Sequence, residues 1–314
     1  MAVNLSAIKD LLLPGLRGVE GQYEQIPSQY DKIFTKHDSK MALERTAEMR
    51  FLGYAQLKTE GGQTAFDNGA GERFVYNQEH TEIGLGYAIT RKAIDDNLYK
   101  SQFAPSNLGL TQSFAQTKEI YGANVLNTAT TYNGSIGGDG KALVATDHPI
   151  DGGTISNSTT NDLNESTLLA GMIAIRTNFR DQAGLKVFAR GRRLVIPPAL
   201  EPVAIRLTKT ELRPGTADND VNAIMSTAGG LPEGYMVNDY LTSARAWFLL
   251  TNIDGLSYME RIKFETDMQV DFTTDNLLVK GYERYSFGYY NFRSIYGAFP
   301  TYSIGAGLRS RPFL

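Results

Sequence analysis

Ile83, Leu85, Tyr87 and Ile89 alternate with Glu82, Gly84, Gly86 and Ala88. A strict period of two puts the apolar residues of this run on one face of a β-strand. The opposing arm, Phe51 to Lys58, is also compatible with a strand. Between the arms lie Glu60-Gly61-Gly62 and Asp67-Asn68-Gly69-Ala70-Gly71, residue types that let a chain reverse. Residues 51–90 therefore read as a long, polar, Gly-tipped β-hairpin. Eight residues of strand would span about 26 Å at about 3.3 Å each. An isolated two-stranded ribbon is marginal in water. Such a hairpin needs a surface to lie on, supplied either by this chain or by a second copy.

The flanking segments come in a definite order. Residues 1–50 balance seven basic against seven acidic side chains, and Pro14, Gly15, Gly18, Gly21 and Pro27 break up their first half. This predicts an extended arm, with a helix over Ser39–Met49 where Met41, Glu44, Arg45 and Glu48 have helical spacing. After the hairpin, Thr90 caps a short helix from Arg91 to about Leu98. Pro105-Ser106 then opens the longest helical pattern, with Leu110, Phe114, Thr117, Tyr121 and Val125 on one side. A helix over 106–129 would be about 36 Å long. Residues 130–162 predict a surface excursion with one short strand in Lys141–Pro149. A second amphipathic helix carries Leu168, Met172, Ile175 and Phe179, with Asn164 as its N-cap. Leu194–Leu200 reads as a buried strand running into a helix with Pro198 near its start. Residues 208–234 are loop-like, Trp247–Leu250 is a short central strand, and an aromatic strand segment begins at Leu277.

Composition narrows the chemistry. There are no cysteines, which removes disulfides, thiolate metal sites and cysteine nucleophiles. His37, His80 and His148 share no metal-ligand spacing. Asp147-His148-Pro149 reads as a turn before proline rather than a catalytic pair. Gly134–Gly140 lacks the Lys-Ser/Thr ending of a phosphate loop and reads as a flexible loop. Asp95-Asp96 and Asp218 with Asp220 sit in polar surroundings and read as solvated surface. No catalytic, cofactor or metal residue is assigned. The net charge of −3 argues against a dedicated nucleic-acid binder. Charge is nonetheless segregated: residues 276–314 hold five basic residues against one acid, while residues 51–90 hold two basic against five acidic. No apolar run approaches membrane length, so a soluble chain is expected.

Taken in order, these parts resemble the major capsid proteins of tailed bacteriophages, which share the Hong Kong 97 fold. Ile89-Thr-Arg-Lys-Ala-Ile-Asp-Asp-Asn97 looks like the segment leading from the extended loop to the spine helix, and residues 106–129 look like that helix. Lys141–Pro149, Leu194–Leu200, and Glu283–Gly288 with Arg293 are similar to further stretches of the family. The resemblance implies an α+β, Hong Kong 97-like capsid fold. Residues 1–50 would be the N-terminal arm and 51–90 the extended β-hairpin loop. Residues 91–185 and 263–314 would form the peripheral domain with the spine helix, and 186–262 the axial domain.

The function implied is that of a non-enzymatic shell protein, assembling through hexamers and pentamers into an icosahedral virion capsid around double-stranded DNA. Lys58, Glu60, Glu72, Arg73, Glu79 and Glu82 are the candidate contacts between copies, and Arg309 and Arg311 form a basic tail toward DNA or an acidic neighbour. The arm begins at Met1 and is short, so a separate scaffolding protein is expected, with a portal, decoration proteins and assembly in the host cytoplasm. Nothing marks an Asn partner for Lys58 or a catalytic Glu, so crosslinking is not expected. Three rivals stand beside this reading. An encapsulin-like nanocompartment would carry enzyme cargo and no DNA. A tail or baseplate component would form rings or tubes. An α/β enzyme would be a small oligomer with a deep pocket.

Overall fold

A computed structural model describes residues 23, 26–96, 99–210, 222, 224 and 230–300. In chain order its elements are β1 (Thr35–Asp38), β2 (Leu43–Arg50), β3 (Gly71–Glu79), β4 (Thr81–Ile89), α1 (Arg91–Asp95), α2 (Tyr99–Asn127), β5 (His148–Ile150), β6 (Gly153–Ile155) and β7 (Ser158–Thr159). Then come α3 (Glu165–Asn178), β8 (Gly191–Ile196), α4 (Glu201–Thr208), β9 (Tyr235–Val237), β10 (Trp247–Thr251), β11 (Leu256–Val270), β12 (Leu277–Tyr289) and β13 (Ile295–Ala298). The chain crosses five times between two units: residues 1–50, 70–140 and 254–291 belong to the first, and 51–69, 141–253 and 292–314 to the second. The unit boundaries fall at 50/51, 69/70, 140/141, 253/254 and 291/292. Strand pairing decides this, because β13 lies between β10 and β7 and so belongs with the second unit's sheet.

In the first unit a four-stranded sheet has the order β1-β11-β12-β4. Its centre is the antiparallel pair β11 and β12, strands of 15 and 13 residues. Helix α2 packs on this sheet through Leu110 and Phe114, which meet Phe264 of β11. The approach is close: a Cβ on Gly281 would sit 2.8 Å from the Phe114 ring and 2.9 Å from Phe264, so only glycine fits there. The buried face of α2 continues through Lys118, Gly122 and Leu126, while Tyr121 is exposed and Thr117 half-buried. The predicted apolar stripe at 117, 121 and 125 is therefore displaced, and the true face carries a lysine.

Lys118 Nζ lies 2.7 Å from Glu283 Oε2, with side chains 3% and 0% exposed. The rings of Tyr23 and Tyr285 lie 4.9 Å from the ammonium and that of Tyr258 5.7 Å. Tyr23 donates to Glu283 Oε2 at 3.1 Å, and burial pushes its phenol far above the usual range, so it stays a donor. Next to Lys118, the Glu119 carboxylate accepts from Gln29 N at 2.6 Å and Tyr30 N at 3.1 Å. Adjacent residues of α2 thus hold both Tyr23 and the Tyr30 turn.

The second unit is built on a five-stranded sheet of order β7-β13-β10-β8-β9. Its central strand is the apolar run Trp247–Thr251, buried throughout, as the sequence predicts. Helix α3 covers it with Leu168, Met172 and Ile175. Asn164 caps α3 by accepting from Thr167 N, while Thr167 Oγ1 accepts from Asn164 N. The expected strand-to-helix step at Leu194–Leu200 is present: β8, a short 3-10 turn at Pro198–Leu200, then α4.

Several expectations fail. The segment predicted as a helix over 39–49 is strand β2, because pairing with β3 supplies the hydrogen bonds that helical charge spacing alone could not. Residues 51–58 form no strand, and β4 pairs with β12 instead. The hairpin is therefore 43–79, shifted toward the N-terminus. The long helix starts at Tyr99 and runs through Pro105. Within 130–162, Leu143 and Val144 are buried core rather than surface. His148 is not a turn residue: it lies in β5, is 1% exposed, and stacks on Phe292 at 3.7 Å.

Candidate assembly surface

Strands β2 and β3 pair along their length, from Leu43 opposite Glu79 to Arg50 opposite Gly71. They form a two-stranded sheet of their own. Its base is tied to the rest of the first unit through Ser257, the Gly134–Gly140 loop and, as a third contact, His80. Ser257 Oγ donates to Gln78 Oε1 at 2.7 Å. Asn77 N donates to Ile136 O at 2.7 Å and Gly138 N to Val75 O at 2.8 Å, which clasps β3 from the Gly134–Gly140 loop. That loop is ordered by its glycines, since Gly138 has φ +78° and a Cβ there would lie 2.2 Å from the Tyr76 ring.

The third contact is His80, between β3 and β4. Ser39 Oγ donates to Glu44 Oε1 at 2.5 Å, so Ser39 accepts from His80 Nε2 at 2.8 Å. His80 Nδ1 then accepts from Ser286 Oγ at 3.0 Å. This assignment corresponds to a neutral imidazole with its hydrogen on Nε2. Burial, helped by Arg284, holds its pKa below the ordinary histidine value, against the pull of Glu44.

Beyond the paired strands, residues 51–70 lack strand or helix. Within this stretch, Asp67 accepts from Gly53 N and Gly69 N, each at 2.8 Å, and Gly62 N donates to Thr59 O at 3.0 Å. This loop exposes Phe51, Leu52, Tyr54, Leu57 and Phe66, with Leu57 98% and Phe66 87% accessible. Leu43, Met49 and Val75 add exposed apolar side chains on the paired strands. A cleft of about 700 Å³ in the second unit is lined by Tyr54, Thr146, Asp151, Ser156, Asn178 and Arg180 among others. Asp151 and Arg180 are its charged residues.

The six residues predicted as contacts divide into three places. Lys58 and Glu60 are exposed in the loop. Glu72, Arg73 and Glu79 lie on β3, where Glu72 and Glu79 are exposed and Arg73 stands over the Phe74 ring at 5.3 Å. Glu82 is on β4, outside the hairpin, and faces Arg284 at 3.7 Å within the chain. Arg309 and Arg311, and residues 1–22, 24 and 25 of the predicted N-terminal arm, lie outside the described residues. Reading the charges missed the apolar residues. The signal was there: four large apolar side chains at 51, 52, 54 and 57 precede a Gly-rich turn with no strand period. Among the described residues, no group of acidic or histidine side chains could hold a metal ion, and no helix is long and apolar enough to cross a membrane.

A sequence model of phage capsid proteins matches residues 79–298. No curated protein matches the chain by sequence. Among solved structures, a Mycobacterium phage Che8 chain is 12% identical with a TM-score of 0.54, over 87% of this chain and 91% of that one. A Microbacterium phage Oxtober96 chain is 10% identical with a TM-score of 0.53, over 87% and 91%. The virus-like particle from Pyrococcus furiosus is 9% identical with a TM-score of 0.54, over 91% and 98%. At these identities the structures show shared fold, and the family match over more than two thirds of the residues adds kinship. The chain belongs to the phage capsid protein family, as a major capsid protein with the Hong Kong 97 fold.

Proposed function

We propose that copies of this chain build a closed icosahedral shell from hexamers and pentamers, with the β2–β3 hairpin and its 51–70 loop lying on a neighbouring copy. One observation carries the reading: the loop has neither strand nor helix and exposes five large apolar side chains. A free monomer rarely leaves such a patch in water, and a partner surface removes the cost. Each fully buried Leu or Phe contributes about 1.5–3 kcal/mol. A thin shell subunit gains its large interfaces through such projections.

On this reading the first unit is the peripheral domain with α2 as its spine, and the second unit contains the axial domain. Lys58, Glu60, Glu72 and Glu79 set register at the rim of the contact. The family match to phage capsid proteins favours a shell around packaged double-stranded DNA over a cargo compartment. Arg309 and Arg311 serve as non-specific contacts to DNA or an acidic neighbour. A scaffolding protein, a portal and decoration proteins complete the particle, which assembles in the host cytoplasm.

The test is Leu57→Ser combined with Phe66→Ser, read by electron microscopy of the high-mass fraction. The expected product is a subunit that melts like wild type and forms no closed shells. Normal shells from this variant would refute the hairpin contact.

A further inference from the structure

Two aromatic side chains outside the hairpin are almost wholly in water, and their surroundings carry opposite charge. Phe272 is 101% exposed, at the tip of the long β11–β12 hairpin. The turn that carries it is preorganised. The Asp271 carboxylate accepts from Thr274 Oγ1 at 2.6 Å and from Thr273 N and Thr273 Oγ1, each at 3.2 Å. Asp271 N donates to Asn276 O and Asp275 N to Asp271 O, both at 2.9 Å. Asp275 closes the turn in the left-handed region, at φ 55°. Two carboxylates thus flank the phenyl ring within five residues, and no basic residue lies between Asp271 and Val279.

Phe188 is 87% exposed in the second unit, between exposed Lys186 and Arg190. Its backbone is also fixed. Ala189 N donates to Val187 O at 2.8 Å, which places Phe188 at the apex of a three-residue turn. Asn252 Nδ2 donates to the Phe188 carbonyl at 3.3 Å, and Asn252 Oδ1 accepts from Arg190 N at 2.7 Å. No acid occurs from Gln182 to Arg193. Arg192 and Arg193 pair with Glu233, whereas Lys186 and Arg190 have no ion-pair partner among the described residues.

We propose that the Phe272 tip of one copy docks on the Lys186–Phe188–Arg190 platform of a second copy. Rigid aromatic side chains that are exposed in the free subunit are the residue type that anchors interfaces. Opposite charge around each anchor selects the pairing and disfavours like with like: two acidic tips repel, and so do two basic platforms. A nucleic-acid partner fits the platform but not the acidic tip, and an acidic foreign peptide leaves the tip uncovered. A second copy satisfies both. This contact is additional to the hairpin contact and rests on the shell reading for its occupant.

The absence of cysteine makes the test direct. Phe188→Cys subunits and Phe272→Cys subunits are mixed with an equal amount of wild-type chain, assembled, and treated with a short bismaleimide. Peptide mass spectrometry identifies the joined positions. The expected result is a 188–272 crosslink in assembled particles and little in dilute subunit. Adding Lys186→Glu and Arg190→Glu to the Phe188→Cys chain should lower its yield about tenfold, because like charges then face each other. Particles that form normally but give only 272–272 or 188–188 crosslinks, or none, overturn the proposal. If wild-type chain makes no shells at all, the shell reading falls. The same crosslinking of concentrated subunit then decides the contact on its own: a 188–272 product sustains it and its absence rejects it.

Discussion

Replacing Lys118 by Met removes one charge from a pair that water does not reach. Methionine keeps the length and most of the packing against Tyr23, Tyr258 and Tyr285, so the effect isolates the ammonium group. Glu283, 0% exposed, then keeps the Tyr23 hydroxyl as a donor, at 3.1 Å. Stranding one member of a buried pair costs about 3–5 kcal/mol. For a unit of this size, 1 kcal/mol moves the melting temperature by about 2–4 °C, so a fall of about 10 °C is expected near pH 8.

The deficit also depends on pH. Burial already raises the Glu283 pKa in the folded chain, and Lys118 is the main influence lowering it. A carboxyl with a raised folded pKa contributes stability below its unfolded pKa of about 4.3 and loses it as pH rises through the folded value. Without Lys118 the folded pKa climbs further, so the variant's deficit grows from pH 5 to pH 8. Thermal melts by circular dichroism across that range measure it. The double variant Lys118→Met with Glu283→Gln should be more stable at pH 8 than Lys118→Met alone, because no charge is then buried. A Lys118→Met protein melting within about 2 °C of wild type at pH 8, or a deficit that does not change with pH, would refute the reasoning.

Three further outcomes are expected. Gly138→Ala forces a Cβ into the Tyr76 ring at a left-handed φ, and should cost about 2 kcal/mol or more by denaturant titration while loosening amide protection in β3. Asn164→Ala removes the α3 cap and should cost about 1 kcal/mol, with Asn164→Ser recovering most of it. His80 has a lowered folded pKa, so its contribution is present above the ordinary histidine value and is lost as pH falls through the folded value. Amide protection factors in β2 and β3, corrected for the intrinsic pH dependence of exchange, should therefore fall in mild acid, and His80→Phe should abolish that acid response.

Local patterns determined those parts whose stability is local. Asn164 with Thr167 specified the start of α3, and Thr90 that of α1, where its Oγ1 accepts from Ala93 N at 3.4 Å. The unbroken apolar run Trp247–Leu250 could only be a central strand, because both of its faces had to be buried. The order of such parts was sufficient to suggest the family. Tertiary structure decided what depends on a distant partner. Ser39–Met49 has charges at helical spacing, yet β3 claims it as a strand. The alternation of 83–89 was read correctly as a strand, but its partner is β12, nearly two hundred residues away, not the arm beside it. Lys118 lies off the stripe of Leu110, Phe114, Thr117 and Tyr121 expected to face the core, yet Glu283 and three tyrosines close around it. The exposed apolar loop was hidden for the opposite reason. Sequence records that Leu57 and Phe66 are apolar, but only the fold shows that they stand exposed, with nothing among the described residues covering them.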